Sequence, residues 1–418
     1  MKKFVSIAMA IVMLAVISGT AFAGTIGEEG IDAEGANELT FTKSILMKNG
    51  NASDVREPGI TYTYTITEIG TLAEGETVTD EDDHAGIVYK LSAEGGDLDE
   101  VLPAQTAQAV FEDTNTAATS ADGEENAKDV TFTFNGSKFP HAGIYRFIVK
   151  ETTGVTKASV GITENDDYSD TMYLDVYVQG KGDDTEIYAY VLFENNEAAI
   201  AADTATAREK SAGWCGGPDG TVNQDIYETY DLEVKKVIEG DTTSQSNQFP
   251  FTVSLKNASL TTKVDLALSS SNASFDGTPD SDDAGSYAAL SSAGTDVKVK
   301  LANAGTVTIT GIPAGTTATV KEKNNTYDFY TLAGTVSNSS TDDIEDVDGA
   351  LAPGAESDAS PAISIDGETK TAVLFTNTLT TISPTGYVAR YAPYALMLIA
   401  GIALLIIAKK HKKHTDEE

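Results

Sequence analysis

The chain has 418 residues, with 64 Asp and Glu against 28 Lys and Arg and a net charge of −36. So large an excess of negative charge repels phosphate backbones and anionic lipid, which sets aside nucleic acid and acidic membrane surfaces as partners. The single cysteine, Cys215, excludes an intrachain disulfide, the usual clamp of small exported β domains.

The N-terminus carries Lys2 and Lys3, an apolar stretch from Phe4 to Ile17 and then Ala21-Phe22-Ala23. This is the pattern of a secretory signal peptide over residues 1–23, with small residues framing the cleavage site after Ala23. A short N-terminal segment, residues 24–36, would follow. The predicted strands of the first half are Leu39 to Leu46, Ile60 to Thr67, Ile87 to Leu91, Val130 to Phe134, Ile144 to Lys150, Met172 to Val178 and Ile187 to Phe193. Ile60-Thr-Tyr-Thr-Tyr-Thr-Ile66 and Val130-Thr-Phe-Thr-Phe134 alternate apolar and polar residues with period two, as a strand with one buried face requires. Trp214-Cys215-Gly216-Gly217 reads as a loop. The second half repeats the theme with strands at Leu232 to Val237, Phe249 to Leu255, Val297 to Leu301, Val307 to Ile309, Ala318 to Lys321, Phe329 to Leu332 and Ala372 to Phe375. Many Tyr, Phe, Thr and Val, with Gly, Asp, Asn and Ser between the runs, give an all-β composition. The landmarks recur in order. Leu39-Thr-Phe-Thr-Lys43 matches Leu232-Glu-Val-Lys-Lys236, Tyr62-Thr-Tyr64 matches Phe249-Pro-Phe251, and Ala142-Gly143 before a strand ending in Glu151 matches Ala314-Gly315 before one ending in Glu322. The expected fold is two tandem immunoglobulin-like β-sandwiches, residues 37–228 and 229–380.

Ile382-Ser383-Pro384-Thr385-Gly386 then precedes an apolar run over residues 391–408 and a basic tail, residues 409–418. Eighteen helical residues reach about 27 Å, enough to cross a bilayer's hydrocarbon core, and the lysines behind them hold the tail in the cytoplasm. A Pro-Thr-Gly segment just outside such a helix resembles a sortase sorting signal of Gram-positive surface proteins. The resemblance implies attack of a sortase cysteine on the Thr385 carbonyl, departure of Gly386 with the tail, and covalent attachment of the chain. Loss of both ends would leave 21 basic against 61 acidic residues, a net charge of −40.

Each half therefore offers a Lys in its first strand and a Glu at the end of a middle strand, and the second half closes on Phe375-Thr-Asn377-Thr-Leu379. This order, with the sorting signal, resembles the FctA-type major pilins of streptococci and the wider collagen-adhesin B-type domains, over most of residues 37 to 386. In that family a Lys and an Asn or Asp on the first and last strands form an isopeptide bond inside each domain, helped by a Glu. The resemblance implies Lys236, Glu322 and Asn377 in the second domain. In the first it implies Lys43 and Glu151 with Asp225 as acceptor, Asn223 as a near rival, and Asn195 or Asn196 more distant. The residue types suit the chemistry: burial favours a neutral, nucleophilic amine and a carboxyl that keeps its proton to polarise the acceptor, and packing supplies the effective molarity. The family's pilus-linking lysine, shortly before the last strand of the first domain, maps best onto Lys210, with Lys181 behind it.

The resemblance thus implies the structural subunit of a covalent pilus, not an enzyme, whose partners are a sortase, neighbouring subunits, peptidoglycan, a host surface ligand, and the membrane before processing. The alternative is an adhesin attached singly to the wall. No cofactor is expected. The acidic runs Asp80 to Asp83 and Asp342 to Asp348 lack EF-hand spacing, and His84, His141, His411 and His414 make no metal trio or Ser/His/Asp set.

Overall fold

The computed structural model describes residues 24–25, 31–32, 37–70, 77–79, 85–165, 168–194, 211–215, 224–240, 245–257, 261–269, 271–324, 330–337, 349–350, 356–357, 362–365, 371–379 and 393–402. The first strands are β1 (Glu38–Asn49), β2 (Ile60–Glu68), β3 (Thr106–Phe111), β4 (Glu124–Thr133), β5 (Gly143–Thr153), β6 (Thr171–Lys181), β7 (Asp184–Glu194) and β8 (Asp225–Glu239). They are followed by β9 (Phe249–Lys256), β10 (Lys263–Leu268), β11 (Thr295–Leu301), β12 (Thr306–Pro313), β13 (Thr316–Glu322), β14 (Tyr330–Ser337) and β15 (Thr371–Leu379).

Two sheets close the first core. One is built on β1, which pairs antiparallel with β4 and parallel with the first residues of β8. The facing sheet runs β7-β6-β5-β2-β3, all antiparallel. In β2 every second residue, Ile60, Tyr62, Tyr64 and Ile66, is buried and the threonines between them are half-buried, so the period-two pattern becomes a one-sided strand. The aromatics cluster here: Phe41, Tyr62, Tyr64, Phe111, Phe132, Phe134, Tyr145, Phe147 and Tyr190 all lie inside this core. The second core repeats the plan with β10-β12-β8-β15-β14 facing β11-β9-β13.

β8 belongs to both. Asp225 to Thr229 pair with β1, and Leu232 to Glu239 pair with β15. Between them the register against β12 shifts at Tyr230/Leu232, and the buried Asp231 sits at that irregularity. Its carboxylate accepts from Asn49 Nδ2 at 3.0 Å, Ser53 Oγ at 2.8 Å and the Gly311 amide at 3.3 Å, which ties both cores to the junction. Arg56 adds a second tie, giving Nε to Asp265 at 2.6 Å and both terminal nitrogens to Asp282 at 2.8 and 2.9 Å.

Some expectations change. The expected strand from Ile87 to Leu91 is Ala85–Tyr89, and Leu91 instead opens a 3-10 turn. β3 and β10 have little β-branched sequence to announce them; their pairing with β2 and β12 makes them strands. Trp214 is not in a plain loop: Gly213–Trp214 runs parallel to β1, and the indole is fully buried. Residues 393–402 are helical and carry exposed Leu396, Met397, Leu398 and Ile399. Among the described residues no helix is long and apolar enough to cross a membrane. The signal segment 1–23, residues 382–386, the tail and the remainder of 391–408 lie outside the described residues.

Candidate functional sites at the paired strands

The two cores hold the same constellation in the same register. In the first, Ile45 lies opposite Asp225 across the parallel β1–β8 pair, and Lys43 is two residues earlier on the same face. In the second, Ile238 lies opposite Asn377 across the parallel β8–β15 pair, and Lys236 is again two residues earlier. The glutamates also match: Glu151 on β5 faces Tyr64 on β2, and Glu322 on β13 faces Phe251 on β9.

In the second site Glu322 bridges its neighbours. Its Oε2 accepts from Lys236 Nζ at 2.8 Å and its Oε1 accepts from Asn377 Nδ2 at 2.6 Å. Lys236 and Glu322 are fully buried and Asn377 nearly so, with its Oδ1 left without a hydrogen-bond partner. The ammonium lies 4.8 Å from the Phe249 ring centre, and Phe251 stacks edge-on against Phe375 to complete an apolar wall. Burial lowers the Lys236 amine to about 8, with Glu322 opposing the shift. Burial likewise raises the Glu322 carboxyl, against the pull of Lys236. A proton moved from Lys236 to Glu322 along their hydrogen bond leaves a free amine beside an amide, and a protonated carboxyl able to donate to it.

The first site is more polar. Lys43 Nζ donates to Asp225 Oδ2 at 2.6 Å and to Tyr168 Oη at 3.0 Å, and stands 3.6 Å from Glu151. Tyr62 Oη donates to the same Asp225 oxygen at 2.6 Å. Tyr64 and Tyr168 each donate to Glu151. Burial lowers the Lys43 amine against the opposing charges of Glu151 and Asp225. Burial, then the neighbouring carboxylates, push the Tyr62, Tyr64 and Tyr168 hydroxyls far up, so they remain donors. Trp214 caps the cluster, with ring contacts to Phe41 and Tyr64 and its indole N–H given to the Ser169 carbonyl at 2.8 Å.

The structure thus brings Lys43, Glu151 and Asp225 together, and separately Lys236, Glu322 and Asn377. Asn223, Asn195, Asn196 and Lys210 lie outside the described residues, as do Asp80 to Asp83, His84 and Asp342 to Asp348. Lys181 is exposed at a hairpin and paired with Glu186. Sequence reasoning missed Lys157 and Tyr168, both in connecting segments; no strand pattern marks either of them. Among the described residues no group of His, Cys, Asp and Glu is arranged to hold a metal ion.

Residues 230–378 match the model of a family described as a domain of unknown function, DUF7601. No curated protein matches the chain. Among solved structures, the chain is similar to the major pilin of Streptococcus pyogenes at 16% identity and a TM-score of 0.40, over 81% of this chain and 98% of that one. It is also similar to the T-13 major pilin of the same organism, at 17% identity and a TM-score of 0.36 over 82% and 99% of the two chains. A bacterial adhesin from Mobiluncus mulieris containing intramolecular disulfide, isopeptide and ester cross-links matches at 12% identity and a TM-score of 0.22, over 82% and 99%.

Proposed function

We propose that this chain is a structural subunit of a sortase-assembled covalent pilus on a Gram-positive cell surface, each of its two sandwiches closed by one self-formed amide. The observation that carries the reading is the repeated triad: a buried lysine on the opening strand, a buried acceptor on the closing strand and a buried glutamate beside the lysine, in one register twice. In the second domain the neutral Lys236 amine attacks the Asn377 side-chain carbonyl. Glu322, which already faces Asn377 Nδ2, gives that nitrogen the proton it took from Lys236 and removes one from the attacking nitrogen, so the Cγ–Nδ2 bond breaks and ammonia leaves as the carbonyl reforms. In the first domain Asp225 is the acceptor and water leaves. Each domain reacts once with itself.

The same reading assigns the chain's ends. The signal segment directs export, and the apolar run 391–408 holds the chain in the membrane. A sortase then cleaves between Thr385 and Gly386, and joins Thr385 to a lysine of the next subunit or to peptidoglycan. Lys210 is the proposed linking lysine. The test is a wall extract boiled in detergent. A ladder of very large species that Lys210→Ala abolishes supports the polymer and its linkage, whereas one sharp band in the unaltered protein indicates the singly anchored adhesin. Intact mass reads the internal bonds: the protein should weigh less than its sequence by one ammonia and one water.

A further inference from the structure

The first site contains a cation with no counterpart in the second among the described residues. Lys157 opens the 3-10 turn Lys157–Val160, which the left-handed Gly161 ends. Its Nζ is 3.1 Å from Asp225 Oδ1, 3.0 Å from Glu151 Oε1 and 3.0 Å from Glu164 Oε1, and it lies 3.4 Å from the Tyr168 ring centre. Asp225 Oδ1 has no hydrogen-bond partner; this ion pair is its polar contact. The two oxygens of one buried carboxyl are therefore divided, with Lys43 and Tyr62 on Oδ2 and Lys157 on Oδ1. Among the described residues Glu322 is paired with Lys236 and no second cation.

We infer that Lys157 is a further catalytic residue of the first domain, an electrostatic clamp that lets a carboxyl take the place an amide holds in the second. The inference rests on the proposed amide between Lys43 and Asp225. An ionised acid is a poor electrophile, because attack adds electrons to a group already negative. Transfer of one proton along the Lys43–Asp225 hydrogen bond gives a neutral amine and an acid protonated on Oδ2. The amine nitrogen then bonds to Cγ, the Cγ–Oδ1 double bond opens, and the negative charge formed on Oδ1 faces the Lys157 ammonium. Glu151 removes a proton from the nitrogen and delivers it to Oδ2. The Cγ–Oδ2 bond breaks, water leaves and the Oδ1 carbonyl reforms. Lys157 keeps its proton throughout. Burial works to lower it, but Glu151 and Asp225 outweigh burial and hold it above its ordinary value, so it serves as a cation and Lys43 as the nucleophile.

The test follows the cross-linked Lys43–Asp225 peptide, one water lighter than its two parts, by mass spectrometry at intervals after synthesis of the full chain. The single tryptophan, Trp214, is buried over this site, so its emission reports folding of the same domain. The expected result is that Lys157→Met folds but forms the bond about 10²-fold more slowly, a loss typical of one oxyanion donor. Lys157→Arg restores most of the rate, and the Lys236–Asn377 bond forms normally in both. Equal rates in Lys157→Met and the unaltered chain overturn the inference. So do equal losses in the Met and Arg variants, which would make Lys157 a packing residue, and a Lys157–Asp225 cross-link in place of the expected one. Absence of any first-domain bond in the unaltered chain instead overturns the reading on which the inference rests.

Discussion

Asp225 and Lys236 lie on one unbroken strand, β8, the first opposite β1 of one sandwich and the second beside β15 of the other. At about 3.3 Å per residue they are roughly 36 Å apart. With both amides formed, a pull that enters through β1 leaves it at Lys43, crosses to Asp225, travels along β8 to Lys236 and crosses again to Asn377. The two hydrophobic cores hang beside this line and carry little of the tension.

Stretching the chain between its ends in a single-molecule experiment should therefore show no unfolding of either sandwich before detachment. Asn377→Ala opens the second path. About 140 residues then become extensible and add roughly 480 Å of contour length in one step. Asp225→Ala should add a longer step, because its closed segment is about 180 residues. Unfolding steps in the unaltered protein would break the argument.

Glu322 touches both partners of the proposed amide in the second site. Glu322→Ala should abolish the loss of ammonia while sparing the loss of water from the first domain, as read by intact mass. Without its cross-link the second domain should lose about 5 kcal/mol in the chain-entropy picture, measured as a lower denaturant midpoint.

Much of this arrangement was legible in the sequence because the chain repeats itself. The Tyr62-Thr-Tyr64 and Phe249-Pro-Phe251 landmarks fall on equivalent strands, and the glutamates oppose Tyr64 and Phe251 across the same pair. Lysine position also follows from strand order, since a residue two before the acceptor's neighbour shares its face. Other features were hidden for physical reasons. Lys157 reaches its site from a short turn whose direction is set by Gly161 and the packing around it, and β1 is completed by Gly213–Trp214, whose flanking glycines and cysteine give no strand signal. Gly213 is required there: its φ is 122°, and a Cβ would lie 2.5 Å from the Thr42 carbonyl oxygen. The shared strand was hidden too, because the expected domain boundary at residues 228/229 falls inside it, and Asp231 folds the register change into a continuous β8.

The lowered Lys236 amine gives the unlinked second domain a defined pH response. In Asn377→Ala the folded protein releases the Lys236 proton near 8, while the unfolded chain holds it to the ordinary 10.5. Between these values the unfolded state binds more protons, so stability rises with pH. Below about 8 both states are charged and the full cost of burying the ammonium remains. Urea midpoints of Asn377→Ala should climb between about pH 8 and 10.5. With the proposed amide formed, the parent's Lys236 no longer titrates, and it should lack this rise.

Arg56 is nearly fully buried yet belongs to the first domain while its carboxylate partners, Asp265 and Asp282, belong to the second. Asp282 is drawn down to about 2, mainly by its hydrogen bond to Arg56, so the pairing persists throughout the neutral range. Removing the guanidinium leaves those carboxylates without their fork-shaped donor and also strips a 2.9 Å contact from the Asp113 carbonyl. Arg56→Met should therefore weaken the coupling between the sandwiches without touching either proposed cross-link site. Calorimetry should resolve two transitions in this variant and one in the parent, and the intact mass should still show both proposed bonds. A single unshifted transition would mean that the remaining contacts, among them Asp231, the Lys263–Asp113 ion pair and the shared strand, hold the junction without Arg56.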